Sequence, residues 1–230
     1  MFYINHLNVS YGESKVISDL DLELQKGEIL AVMGRNGMGK TTLFKSLIGI
    51  LGCGSGSSIK INETELASES SYMRVRKGLA YVPQGRMIFP NLSVTDNIRT
   101  GLDSSNEKNV PDYVYELFPV LKEMGKRKGG NLSGGQQQQL AIARALVTKP
   151  KVLLLDEPTE GIQPSIIKEM AEKLKTIRDM HDVSIIVAEQ VLSFALTACD
   201  RFLVMEGGAI VHSSDRSEVD AEKIKKFLSV

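Results

Sequence analysis

Apolar residues run along this chain in two rhythms, one of period two and one closer to 3.6. Phe2 to Val9 is a short apolar-rich run, a Tyr11-Gly12 turn follows, and Val16, Leu20, Leu22 and Leu24 sit at even spacing. That alternation predicts half-buried strands. A continuous apolar block, Ile29 to Met33, predicts a buried strand, and Leu43 to Leu51 carries a helical pattern that ends in a Gly/Ser-rich loop at Gly52–Ser58. Short β signals recur at Ser58–Ile61 and Leu79–Pro83. From about Thr95 to Pro150 the rhythm is helical, with caps and breaks at Ser93, Pro111, Gly129-Gly130 and Ser133. Strand and helix then alternate: Val152–Leu155, Ser165–Met180, Ser184–Ala188 and Leu192–Ala198. Phe202–Met205 and Ile210–His212 flank Gly207-Gly208 as a hairpin, and Ala221–Leu228 closes the chain as a helix.

This order predicts an α/β fold, a nucleotide-binding core (residues 1–84 and 150–230) interrupted by a helical insertion at about 85–149. With 230 residues and 42% apolar composition, one sizeable core is affordable. Lys plus Arg and Asp plus Glu balance at 28 each, so no net field points to nucleic acid or anionic lipid. The basic run Lys122–Lys128 reads as a solvated helix end. Cys53 and Cys199 lie far apart, outside any zinc or disulfide pattern, which fits a reducing cytosol. No stretch approaches the length of a membrane span, so any membrane role comes through a partner.

The chemistry concentrates at Gly34-Arg35-Asn36-Gly37-Met38-Gly39-Lys40-Thr41-Thr42, between the Ile29–Met33 strand and a helix. Glycines at this spacing let successive N–H groups face phosphate oxygens, Lys40 reaches the β- and γ-phosphates, and the Thr41 hydroxyl is placed for Mg²⁺. Val152-Leu153-Leu154-Leu155-Asp156-Glu157 is a strand whose carboxylates emerge at its C-terminal end, where open parallel sheets place their ligands. Asp156 is suited to Mg²⁺ and Glu157 to polarising an attacking water. In Leu132-Ser133-Gly134-Gly135-Gln136, a serine and two glycines open a helix running from Gln136 to Val147 and expose its positive end. Taken alone, that segment is an ordinary capped helix with a glycine hinge.

In this order, however, the three segments resemble the ATP-binding cassette family, whose signature is LSGGQ. The resemblance covers essentially the whole chain. It implies a phosphate-loop core with an antiparallel β part near the N-terminus and an inserted helical part. It also implies ATP and Mg²⁺ as ligands and a head-to-tail dimer in which Ser133, Gly134, Gly135 and Gln136 cover the partner's nucleotide. Gln84 matches the family's glutamine loop, touching Mg²⁺ or the attacking water, and Tyr11 matches the ring that stacks on adenine.

Two departures stand out. Gln190 occupies the position of the family's switch histidine, since His6, His181 and His212 do not fit it. An amide holds a contact but does not accept and return a proton as imidazole does. Glu160-Gly161-Ile162-Gln163 also replaces a loop that commonly ends in Asp. These departures suggest an asymmetric heterodimer in which the site built from Lys40, Glu157 and Gln190 is the slower one.

Tyr81–Pro90 and Asp156–Pro164 resemble the branched-chain amino acid and urea group of bacterial importers. Glu116–Lys122, Gln136–Gln139 and Gly161–Ser165 are most similar to a urea importer's second ATPase subunit. The resemblance thus implies a peripheral ATPase on the cytoplasmic face of the inner membrane. Its partners would be a second ATPase, two permeases and, indirectly, a periplasmic binding protein. Urea is the expected solute, with branched-chain amino acids the alternative. A soluble cassette acting in translation or DNA maintenance would have tandem cassettes or long coiled-coil insertions. A kinase or GTPase leaves LSGGQ unexplained, and Glu157 argues against a non-hydrolysing binder. Met87, Ile88, Phe89 and Leu92 form an apolar cluster suited either to receiving a permease helix or to packing the insertion internally.

Overall fold

The computed structural model describes residues 1–105 and 107–228. In chain order the strands and helices are β1 (Phe2–Tyr11), β2 (Ser14–Leu24), β3 (Ile29–Met33), α1 (Lys40–Leu47), β4 (Ser58–Ile61), β5 (Thr64–Glu65), α2 (Ser71–Arg76), β6 (Leu79–Val82) and α3 (Val94–Arg99). They continue with α4 (Asp112–Leu117), α5 (Pro119–Glu123), α6 (Gly134–Leu146), β7 (Val152–Asp156), α7 (Pro164–His181), β8 (Ser184–Glu189), α8 (Leu192–Ala198), β9 (Arg201–Glu206), β10 (Ala209–Asp215) and α9 (Ala221–Leu228).

Two sheets form. The larger has order β10-β9-β3-β8-β7-β6, parallel throughout except for the edge strand β10. The smaller, β2-β1-β4-β5, is antiparallel. Every residue of β3, β7 and β8 is buried, because alternate side chains feed two cores. Ile29, Ala31 and Met33 pack with the helices α3 to α8, while Leu30 and Val32 pack with α1 and the smaller sheet. A strand covered on both faces therefore reads as an unbroken apolar run.

The even spacing in β2 holds from Leu20 to Leu24, but Ile17 rather than Val16 is fully buried. Asp19 (φ 48°) and His6 (φ 52°) on the neighbouring strand adopt left-handed backbone, and the β1–β2 register shifts there. Each irregularity flips the face that the preceding residues present. Predicted caps appear where expected: the hydroxyls of Ser93 and Ser133 accept from the backbone N–H groups of Asp96 and Gln136.

Helix α2 has no counterpart in the sequence reading. It is anchored by buried Arg74, which donates to the carbonyls of Ser46 and Leu47 at 2.7 Å and so closes the C-terminal end of α1. Both cysteines are free thiols, and burial pushes the Cys199 thiol up. Lys122, Glu123, Lys126, Arg127 and Lys128 are exposed or nearly so. No helix among the described residues is long and apolar enough to cross a membrane.

Candidate functional site

The site lies at the C-terminal ends of β3, β7 and β8, adjacent strands of the larger sheet. Between β3 and α1 the chain turns through Gly37 (φ 79°) and Gly39 (φ 103°), conformations that favour glycine. Gly34 is needed for a different reason: a Cβ there would sit 2.6 Å from the Met205 carbonyl oxygen of β9. The helix begins at Lys40, three residues before its apolar pattern, so its first turn aims free N–H groups at the loop's concavity.

Lys40 is 4% exposed, and its ammonium donates to the carbonyls of Gly34 (2.7 Å) and Arg35 (3.1 Å). Across the mouth of the loop, Glu157 Oε1 lies 3.4 Å from the Lys40 Nζ. The same oxygen accepts from the Gln190 amide at 2.9 Å, which also donates to Asn36 Oδ1 at 2.8 Å. Gln84 Nε2 reaches Glu157 Oε2 at 3.2 Å and Glu160 at 3.3 Å. Thr41 donates to Asp156 Oδ1 at 3.3 Å. Asp156 is buried, and burial pushes its carboxyl above the ordinary range, against hydrogen bonds from Tyr81 and Thr41 that favour the charged form.

Lys40, Thr41, Asp156, Glu157, Gln84, Gln190 and Asn36 are thus brought together. Tyr11 ends β1 with its ring about half exposed and joins none of these bonds. Ser133–Gln136 also stand apart from this network. Ser133 and Gln136 form a reciprocal capping box. The two glycines pack against their own chain: a Cβ on Gly135 would meet Ile166 at 2.9 Å, and one on Gly134 would meet the Gly161 carbonyl at 3.1 Å. Close approach within the fold therefore requires small residues there.

Two further contributors escaped the sequence reading. Tyr81 donates its hydroxyl to Asp156 Oδ2 at 3.1 Å. Its place three residues before Gln84, on the strand paired with β7, was the available signal. Glu189 is 2% exposed and accepts from the Gln190 N–H (2.8 Å), the Val191 N–H (3.0 Å) and both the N–H (3.1 Å) and hydroxyl of Thr159. One carboxylate thereby ties the loop after β7 to the loop after β8.

A profile of the family described as ABC transporter matches residues 17–160, more than half the chain. The chain belongs to this family. The cassette is 40% identical over 214 residues to the high-affinity branched-chain amino acid transport ATP-binding protein BraG of Pseudomonas aeruginosa, covering 92% of this chain and 91% of that one. It is 35% identical over 225 residues to a probable branched-chain amino acid transport ATP-binding protein, LivF, of Archaeoglobus fulgidus, covering 96% and 95%. Among solved structures it resembles cbiO1 of Clostridium perfringens, part of the ABC transporter complex cbiONQ, at 28% identity. That match covers 97% of this chain and 92% of the other with a TM-score of 0.82. The cassette is therefore the ATP-binding, ATP-hydrolysing subunit of an ABC transporter, with the mixed α/β fold and antiparallel β part of that family.

Proposed function

We propose that the cassette powers uptake of a small polar solute, hydrolysing ATP at the Lys40–Glu157 site in a heterodimer with a second ATPase. The observation that carries hydrolysis is the grip on Glu157. A carboxylate held by the amides of both Gln84 and Gln190, 3.4 Å from the phosphate-seeking Lys40, is placed to take a proton from a water attacking the γ-phosphate. The loop residues Gly34, Arg35, Asn36, Gly37, Met38, Gly39, Lys40, Thr41 and Thr42 cradle the triphosphate, and Tyr11 stacks on adenine. Gln190 contacts the γ-phosphate in place of histidine.

The residues fit Mg²⁺. Thr41, Asp156 and Gln84 offer only oxygen donors, and no cluster of three or more His, Cys, Asp or Glu among the described residues forms a complete cage. Such sparse protein ligation suits a cation that takes its remaining oxygens from phosphate and water. Once bound, it would neutralise charge on the phosphates.

Ser133, Gly134, Gly135 and Gln136 cover the nucleotide of the second subunit. The assembly would include two permeases at the cytoplasmic face of the inner membrane, supplied by a periplasmic binding protein.

Import is supported by the two branched-chain amino acid relatives. A more distant relative, LptB of Escherichia coli, 30% identical, is named for lipopolysaccharide export, so family membership alone leaves direction open. Urea is the solute favoured by the Tyr81–Pro90, Glu116–Lys122 and Gly161–Ser165 segments. Branched-chain amino acids are the second reading, favoured by the 40% identity to BraG. Uptake of labelled urea and labelled leucine is measured in cells with and without this chain. Loss of urea uptake alone is expected, loss of leucine uptake alone transfers the assignment, and retention of both rejects an import role for either solute.

The permease surface is expected at the groove between the core and the helical layer. Met87, Phe89 and Leu92 are 67, 46 and 39% exposed, whereas Ile88 packs partly into the core, so the cluster divides between the two roles considered for it. Phe89→Ala should leave ATP binding intact and weaken coupling, lowering solute uptake by about tenfold or more, the scale of losing an aromatic anchor. Unchanged uptake would remove this surface from the proposal.

A further inference from the structure

The groove beside Met87 and Phe89 has a volume of about 460 Å³ and is walled by Ala80, Tyr81, Ala141 and Thr148 among others. Among the described residues lining it, Arg144 alone carries a charge. Its guanidinium lies 5.4 Å from the Phe89 ring centroid and, among the described residues, makes one hydrogen bond, to the Arg86 carbonyl at 3.3 Å. No carboxylate among the described residues pairs with it. Burial lowers the Arg144 pKa without an opposing negative neighbour. A half-buried cation with five N–H donors and one acceptor is an incomplete arrangement, because desolvated charge is normally matched.

The backbone holding it is rigid. Arg144 lies in α6, and Gly101 approaches so closely that a Cβ there would sit 2.3 Å from the Arg144 carbonyl oxygen. The guanidinium is thus presented from a fixed helix into a groove whose other lining residues are uncharged.

We propose that Arg144 receives an Asp or Glu carboxylate from a cytoplasmic segment of the membrane-spanning partner, whose apolar side chains fill the groove beside Met87 and Phe89. The inference rests on the transporter reading above and adds the chemistry of the docking element. Guanidinium and carboxylate match as a planar fork, and Phe89 over the pair would exclude water and strengthen it. A polyanionic ligand would call for several cations, and the groove offers one.

The test uses the full-length chain and the permease subunits encoded with it, solubilised in detergent. Each Asp and Glu in the permease cytoplasmic loops is neutralised to Asn or Gln, and affinity is measured against wild type, Arg144→Met and Arg144→Lys. Arg144→Met should weaken binding by about 30-fold, which is roughly 2 kcal/mol at 1.4 kcal/mol per tenfold. One permease carboxylate should produce a similar loss with wild type and none with Arg144→Met, and Arg144→Lys should recover part of the affinity. The proposal is overturned if Arg144→Met binds within about threefold of wild type or if every carboxylate variant is additive with it. Should Arg144→Met lose its thermal transition, the permease variants still decide. If no single neutralised carboxylate weakens binding to the intact chain by about tenfold, the proposal fails. A chain that never co-purifies with permeases removes the transporter reading too, whereas one that co-purifies but ignores residue 144 removes only this inference.

Discussion

Glu157→Gln should cut ATP turnover by about 10²–10⁴-fold while nucleotide binding persists, the range typical of losing a positioned general base. Glutamine keeps the shape of the side chain and one acceptor oxygen, so the contacts to the Gln84 and Gln190 amides survive in part. The substituted amide nitrogen, however, neither takes a proton nor attracts Lys40, which lies 3.4 Å from Glu157 Oε1 in the native site. The backbone at this position is left-handed, with φ 48°, a conformation that costs any non-glycine residue and that glutamine bears much as glutamate does. Folding should therefore be spared, and the loss should fall on the chemical step. Phosphate release from the assembled transporter measures it, alongside affinity for a non-hydrolysable analogue. Turnover within about threefold of wild type would exclude Glu157 as the base.

Gly208→Ala should be among the most damaging changes outside the site. A Cβ on Gly208 would fall 1.7 Å from the Val16 carbonyl oxygen, a backbone atom, and the residue has φ 80°. Its N–H also donates to the Met38 carbonyl at 3.1 Å, so the hairpin turn touches both β2 and the phosphate loop. Left-handed backbone plus overpacking should cost about 3 kcal/mol, lowering the melting temperature by about 6–12 °C in a chain of this size. Gly207→Ala provides the comparison. That residue is also left-handed, at φ 54°, but nothing lies within 4 Å of its added Cβ. It should lose only about 1–2 kcal/mol. Equal melting temperatures for the two variants would show that the close crossing at Val16 does not constrain the fold.

What could be read from the amino-acid order follows from how each element is buried. Strands β3, β7 and β8, covered on both faces, announce themselves as apolar runs, and α8 and α9 match their predicted bounds. Helix α2 was silent because the side chain it buries is Arg74, an arginine whose acceptors include carbonyls 27 and 28 residues away as well as those of Ala67 and Glu69. The shift from Val16 to Ile17 was hidden for a similar reason. Left-handed Asp19 is an event of the backbone, and nothing in the apolar spacing reports it. At the site, glycine spacing and the paired Asp156-Glu157 carboxylates gave the phosphate loop and its acid neighbours. Glu189 looked like any strand-end carboxylate until Thr159, 30 residues earlier, supplied two of its four donors. Buried polar groups are specified by tertiary partners, and those partners leave no local periodicity.

The packing of Gly134 and Gly135 on Gly161 and Ile166 carries a mechanical consequence. With only glycines on the α6 side, the start of α6 rests directly on the Gly161 carbonyl of the preceding turn and on the Ile166 side chain of α7, a seam that leaves little room for either to slide alone. Displacing that turn would therefore bear directly on the serine-bearing tip of α6.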